Sequence, residues 1–321
     1  MAEHLEGELA ELFARAPELG VSLAAVVTVG GELVAERYGT QPATLFSPES
    51  AVRADTPLVS WSTAKSITHA AIGVAAMSGL VEVEGRAPVP GWEGTEKEAI
   101  TILDLLEMRS GLHFVEDYVD SAGSNCLEML FGSGADDMAA YAAQQPLEHP
   151  PASVWNYSSG STNILCRVLG DAVGGGEKAV RRFLGTTLFG PTGMASADPV
   201  FDAAGTFIGS SYVYATARDF ARFGELYRND GISNGQRVLP EGWTDHARTQ
   251  IATDPETGFG YGRHWWTWPD MPGSLAAHGY EGQFTIVVPD RELVVVHLGK
   301  TAADARPVLV EHLRRIIAAA S

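Results

Sequence analysis

Trp61-Ser62-Thr63-Ala64-Lys65-Ser66-Ile67-Thr68 runs into a small-residue apolar segment, His69-Ala70-Ala71-Ile72-Gly73-Val74-Ala75-Ala76-Met77, which stops at Ser78-Gly79. Ile67, Ala70, Ala71 and Val74 recur at helical spacing, which predicts a buried helix opening at or near Ser62. Ser62 and Lys65 then share one face, a turn apart. Ser62 lies where unpaired backbone N–H groups and the positive end of the helix dipole favour a developing negative charge. A serine becomes a nucleophile when a neighbouring base takes its proton, and a lysine shielded from water, its pKa lowered by burial, is such a base. Of the four lysines, at 65, 97, 178 and 300, Lys65 alone has a serine three residues before it. The competing interpretation is a capping serine with a lysine snorkelling at a helix end.

The surroundings of that helix suggest an α+β protein. With 321 residues and 45% hydrophobic content the chain can bury a sizeable core. Residues 3–15 place Leu5, Leu9, Leu12 and Phe13 at helical spacing, and Pro17 closes the pattern. Residues 21–29 and 32–38 are strand-like runs joined at Gly30-Gly31, a strong hairpin signal because the tight turn needs positive φ. A loop over 40–57, with Pro42, Pro48 and Pro57, delivers the chain to Trp61. Helices are expected over 100–109, entered at Thr101 with Asp104 three residues on, and over 136–145, 162–173, 177–184 and 215–228. Residues 112–135 are polar and poorly periodic, the mark of a long functional or disordered loop. Residues 262–268, 282–288 and 293–298 are β-rich, and 306–320 form a last amphipathic helix. Strands at both ends with helices between predict one five-stranded antiparallel sheet flanked by the terminal helices, with a largely helical insert. Residues 1–60 and 255–321 would then form the sheet domain and 61–254 the helical one, the active site lying in the cleft between them.

A net charge of −18 argues against nucleic acid or an anionic membrane as partner. No apolar run nears the roughly 18 residues that span a bilayer. The acidic opening, Met1-Ala2-Glu3-His4-Leu5-Glu6, lacks the pattern of a secretory signal, so a cytoplasmic location is expected. Cys126 and Cys166 are read as free thiols. The nine histidines show no metal spacing, and neither a metal nor another cofactor is expected. Gly231-Ile232-Ser233-Asn234-Gly235 matches G-x-S-x-G but follows a helix, so it is a turn. Gly174-Gly175-Gly176-Glu177-Lys178 lacks phosphate-loop spacing and is a helix end.

Two more stretches can carry chemistry. Tyr157 lies in a Ser/Gly-rich turn before a helix, where a phenol near a lysine ammonium can pass protons; the alternative is a half-buried tyrosine packing on Trp155. Ala276-Ala277-His278-Gly279-Tyr280-Glu281-Gly282-Gln283 leads into a strand. Glycines there allow close backbone approach, and an edge N–H could join that of Ser62 as an oxyanion hole. A plain turn with a bulge is the alternative.

Together these three stretches resemble the motifs of the serine β-lactamase and penicillin-binding-protein superfamily. S-x-x-K stands at Ser62–Lys65, the Y-x-N variant at Tyr157-Ser158-Ser159, and the K-T-G or H-x-G variant at His278-Gly279-Tyr280. Residues 100–106 with Ser110-Gly111-Leu112, and Ala215-Thr216-Ala217-Arg218-Asp219, are similar to the class C branch. Within that branch, 157–163 and 279–284 look more like the 6-aminohexanoate-dimer hydrolases and family VIII carboxylesterases. The resemblance implies a β-lactamase/transpeptidase-like fold and a serine hydrolase with Ser62 as nucleophile. Lys65 and Tyr157 would share the base role, and the backbone near Glu281-Gly282 would hold the oxyanion. Ser159, His278, Gly279 and Tyr280 follow as binding positions. The loop Phe114-Val115-Glu116-Asp117-Tyr118-Val119-Asp120 is similar to one over the active site, which makes Tyr118 a substrate contact. Ser159 replaces the family's Asn, and the third motif lacks its Lys and Thr. Small carboxylic esters or linear amides are therefore expected ahead of β-lactams or cell-wall peptides, which define the runner-up. A catalytically silent ligand-binding module is the rival outside the class. Trp265, Trp266 and Trp268 either line the cleft or fill the sheet core. Oligomeric state is not readable.

Overall fold

The computed structural model describes residues 2–45, 48–119 and 123–320. Phe46 and Ser47 of the 40–57 loop, and Asp120 with its two successors in the 112–135 stretch, lie outside the described residues. The chain opens with helix α1 (Ala2–Ala14) and the hairpin β1 (Val21–Val29) and β2 (Glu32–Tyr38). Gly30 and Gly31 take φ of 60° and 86°, as the two-residue turn requires. After the central helix α2 (Ala64–Met77), the elements that matter most for the site are α3 (Ser159–Ala172) and α4 (Ala217–Arg228). Then come β3 (Ala252–Thr253), β4 (Gly260–Tyr261), β5 (Trp266–Thr267), β6 (Leu275–Gly279), β7 (Gln283–Val288), β8 (Leu293–Lys300) and α5 (Arg306–Ala319).

The main sheet has eight strands rather than five, in the order β3-β4-β5-β6-β7-β8-β1-β2, with every described pairing antiparallel. Five are long, and β3, β4 and β5 are two-residue additions at one edge. The β-rich run at 262–268 is not one strand, because His264 at φ 58° reverses the chain between β4 and β5. Strand β6 has no β-branched residue, yet all five of its residues are buried, so its environment and not its propensity makes it a strand.

Alternation along the strands fills two separate cores. Ala25, Val27, Phe284, Ile286 and Val295 face Leu5, Leu9 and Leu12 of α1 and Leu309, Leu313 and Ile316 of α5. Ala24, Val26, Ala277, Val287, Val294 and Val296 join the second core with Ile67, Ala70 and Val74 of α2 and with Phe220 and Phe223 of α4. Helix α2 is buried on every side from Ala64 to Ala75. The capping box at Thr101 and Asp104 forms, but its helix covers only Ile102–Leu106. The 112–135 stretch contains a helix, Asn125–Phe131, whose cap Ser124 accepts from the N–H of Leu127. No helix among the described residues is long and apolar enough to cross a membrane.

Candidate active site

The chain enters α2 through a single 3-10 turn, Trp61–Thr63, with Trp61 at φ 43°, a left-handed conformation that costs a bulky residue energy. This turn carries half-buried Ser62, while Lys65, one turn on, is 2% exposed. The Lys65 ammonium donates to three oxygens: Ser62 Oγ at 3.0 Å, Ser159 Oγ at 2.9 Å and the Ser210 carbonyl at 3.0 Å. It also lies 4.8 Å from the centre of the Tyr157 ring. Tyr157 stands just before α3, whose cap Ser158 accepts from the N–H of Ser161, so a helix start fixes the second motif. Ser62, Lys65, Tyr157 and Ser159 are thus brought together at the N-terminal ends of α2 and α3.

The ionisation of Lys65 departs from the simple expectation. Burial pulls its ammonium down, but the negative charges of Tyr157 and Glu116 outweigh that and hold it above the ordinary lysine value. For Tyr157, burial dominates and raises the phenol, with Lys65 pulling the other way. The two titrate as one unit and are best treated so.

Glu116, quoted in the loop but given no role by sequence reasoning, stands behind this pair with its side chain 8% exposed. Its carboxylate accepts from the Ser159 N–H at 2.7 Å, from the Ser159 hydroxyl, and from the Tyr118 hydroxyl at 2.7 Å. Its Oε1 lies 4.0 Å from Lys65 Nζ. A loop glutamate gives no sequence signal of this, because its partners lie on α2 and α3.

The third motif packs against the turn that carries Ser62. An added Cβ on Gly279 would stand 2.6 Å from the carbonyl of Ser60, so glycine lets β6 run against the residue before Trp61. Glu281, at φ 58°, accepts from the Trp61 indole N–H at 3.2 Å and so ties the end of β6 to the nucleophile's turn. The carbonyl of Gly282 accepts from His297 Nδ1 at 2.7 Å, and Gln283 reaches the carbonyls of Tyr280 and Gly299. Tyr280 meets the ring of Trp61 at 5.8 Å and that of Tyr118 at 5.2 Å, and Tyr212 meets Trp61 at 5.4 Å, so aromatic rings border Ser62.

His278 does not join this group. Its ring is stacked on Trp266 at 5.2 Å, and its Nε2 accepts from the Trp268 indole at 3.0 Å. Burial holds it far below the ordinary histidine range, a neutral acceptor in an aromatic layer. Trp265 and Trp268 are core residues, whereas half-buried Trp266 stands 5.5 Å from Tyr157. Cys126 and Cys166 are free and buried. Among the described residues no cluster of histidine, cysteine or carboxylate side chains could hold a metal ion.

The β-lactamase family profile matches residues 9–320. The 6-aminohexanoate-dimer hydrolase of Paenarthrobacter ureafaciens is 24% identical over 291 residues, covering 85% of this chain and 71% of that protein. A Bacillus anthracis structure provisionally described as a 6-aminohexanoate-dimer hydrolase superposes with a TM-score of 0.80 at 24% identity, over 97% of this chain and 81% of the other. A family VIII carboxylesterase structure superposes with a TM-score of 0.73 at 16% identity, over 99% and 96%. At these identities the structural likenesses establish the fold. With the profile spanning nearly its whole length, the chain belongs to the β-lactamase family and is a serine hydrolase.

Proposed function

We propose that this hydrolase cleaves small carboxylic esters and linear amides through a covalent acyl–Ser62 intermediate. It would act in the cleft between a sheet domain, 1–60 and 255–321, and a helical domain, 61–254. The observation that carries the reading is the 3.0 Å contact between Lys65 Nζ and Ser62 Oγ, with the Tyr157 ring against the same ammonium. Ser62 Oγ attacks the substrate carbonyl as its proton passes to the Lys65–Tyr157 pair. The oxyanion is held by the N–H of Ser62 and by a backbone N–H near Glu281–Gly282; losing one such donor costs on the order of 100-fold or more. Collapse breaks the bond to the alcohol or amine, which leaves with the proton from the pair. Water then attacks the ester, the pair takes its proton, the acid departs, and Ser62 regains its hydrogen.

Esters and linear amides come ahead of β-lactams because the hydroxyl and N–H of Ser159 are both taken by Glu116. His278 is turned to Trp268 where the family's third motif carries Lys. The name of the Paenarthrobacter relative makes linear ω-amino-acid amides sensible members of a substrate panel. The test is a purified-enzyme screen of p-nitrophenyl esters, such amides and a chromogenic cephalosporin, with Ser62→Ala as control. Ester or amide turnover lost in Ser62→Ala is the expected result. Full activity in that variant would sink the reading. Turnover of the cephalosporin faster than the esters would replace it with a β-lactamase or D,D-peptidase.

A further inference from the structure

Two of the three hydrogen-bond directions at Lys65 Nζ end on atoms that can only accept. One is the Ser210 carbonyl. The other is Ser159 Oγ, which accepts from Lys65 because its own hydrogen is committed to Glu116. The remaining direction of Nζ is thereby aimed at Ser62 Oγ. Removing the carboxylate would free the Ser159 hydrogen to rotate, and of the two fixed acceptors only the Ser210 carbonyl would remain to aim Nζ.

We propose that Glu116 is the positioning residue of this site. It holds Ser159 as an acceptor for Lys65 and sets a negative charge beside the ammonium, so that Nζ stays directed at Ser62 Oγ while the Lys65–Tyr157 pair takes the Ser62 proton. The inference rests on the acyl–Ser62 reaction proposed above. Protons balance over the pair: it gains the proton that Ser62 loses, and the leaving group later removes it.

Other groups face this cluster from each packed element. Tyr118 lies on the same loop, and its hydroxyl donates to Glu116. The Cys126 thiol, from the helix beneath, sits 3.7 Å from Glu116 Oε1, and burial drives it up, out of the thiolate range. Tyr261 of β4, buried and kept as a phenol, has its ring 5.8 Å from that of Tyr157. Cys166 of α3 and His264 both feel Lys65, and burial holds both uncharged. Arg306 at the start of α5 is the further cation that senses Tyr157. The carboxylate of Glu116 is the negative side chain nearest to Lys65 among the described residues.

Removing that charge lowers both proton affinities of the Lys65–Tyr157 pair, so the pH profile must move and not merely shrink. The experiment is a kcat/KM–pH profile with a p-nitrophenyl ester for the parent, Glu116→Gln, Glu116→Asp, Ser159→Ala and Ser62→Ala. Glu116→Gln should lose roughly 10- to 100-fold in kcat and shift the ascending limb toward acid by about one pH unit. Ser159→Ala removes the aim but not the charge, so it should lower kcat with the limb in place. Glu116→Asp should recover the parental limb with part of the rate. It also decides the matter if a thermal melt finds the glutamine variant unfolded. A Glu116→Gln profile that falls without moving, an unaltered profile, or a shifted limb in Glu116→Asp would each overturn the inference. Activity surviving in Ser62→Ala would overturn the reaction itself, a distinguishable failure.

Discussion

Lys65 is buried in a helix of small residues, and each direction from its ammonium is spoken for by an oxygen. Arrangements of this kind depend on placement within a fraction of an ångström, which makes the glycine packed against the nucleophile's turn as consequential as the charged residues. Gly279 has φ −126°, which any residue adopts, so a substitution there meets no backbone penalty. Its cost is contact: the new Cβ would press on the Ser60 carbonyl at 2.6 Å, one residue before Trp61. Gly279→Ala is therefore expected to fold and to lose on the order of 100-fold in kcat/KM, as a misplacement of about 1 Å does. Parental kcat/KM in the folded variant would refute this. The nucleophile, the lysine and the tyrosine were readable because each motif is local in sequence. Glu116 was not, because what defines it is three hydrogen bonds from Ser159 and Tyr118, made only after the loop meets α3.

Among elements, the hairpin of β1 and β2 was legible from two glycines, and the helix ends from their caps. Strand β6 was hidden because Leu-Ala-Ala-His-Gly carries no strand propensity, and β4 and β5 because a left-handed histidine splits their run. Helix α4 offers a test of how closely the elements fit. It crosses the sheet at Gly224, where a Cβ would lie 2.5 Å from Val294 Cγ1 and 3.2 Å from Thr285 Cγ2. Alanine gains about 0.8–1.0 kcal/mol over glycine inside a helix, whereas overpacking a core costs about 1–3 kcal/mol. Crowding should win. Gly224→Ala is expected to melt earlier, and adding Val294→Ala should destabilise by less than the sum of the two single changes, because the lost valine methyls leave room for the added one. Additive losses in urea titrations would mean that the contact does not couple them.

At the scale of the whole molecule, the two cores explain both what the sequence revealed and how the protein should respond to acid. Apolar residues at both ends and in the middle announced an α+β layer structure. Their alternation could not tell a five-stranded sheet from an eight-stranded one, because β3 and β4 are two residues long and β6 carries no strand-forming residues. Among the described residues burial keeps six histidines neutral, five of them buried and His246 half-buried: His246 and His264 are pushed down to about 3, His297 to about 4, His69 and His278 well below 6.5, and His312 below it. The unfolded chain binds protons at these residues as pH falls through 6.5, while the folded chain does not. Their contribution to stability is thus intact above the unfolded value and is lost as pH falls toward the folded ones. The melting temperature should decline between pH 6.5 and 4. A flat melting temperature over that interval would contradict the assignment of neutral buried imidazoles.

Helix α2, wrapped by core from Ala64 to Ala75, also bears on how such a protein can change its trade. A replacement on any side of that helix disturbs packing, so the bond-cutting groups sit where mutational tolerance is lowest. The rings that border Ser62 stand mostly outside it: Tyr118 and Tyr212 on connecting segments, Tyr280 at the tip of a strand. Selectivity can drift at Tyr212 and Tyr280 without touching the chemistry, whereas Tyr118 is tied to Glu116. A diversification library aimed at new substrates belongs at those two positions, with the helix left as it is.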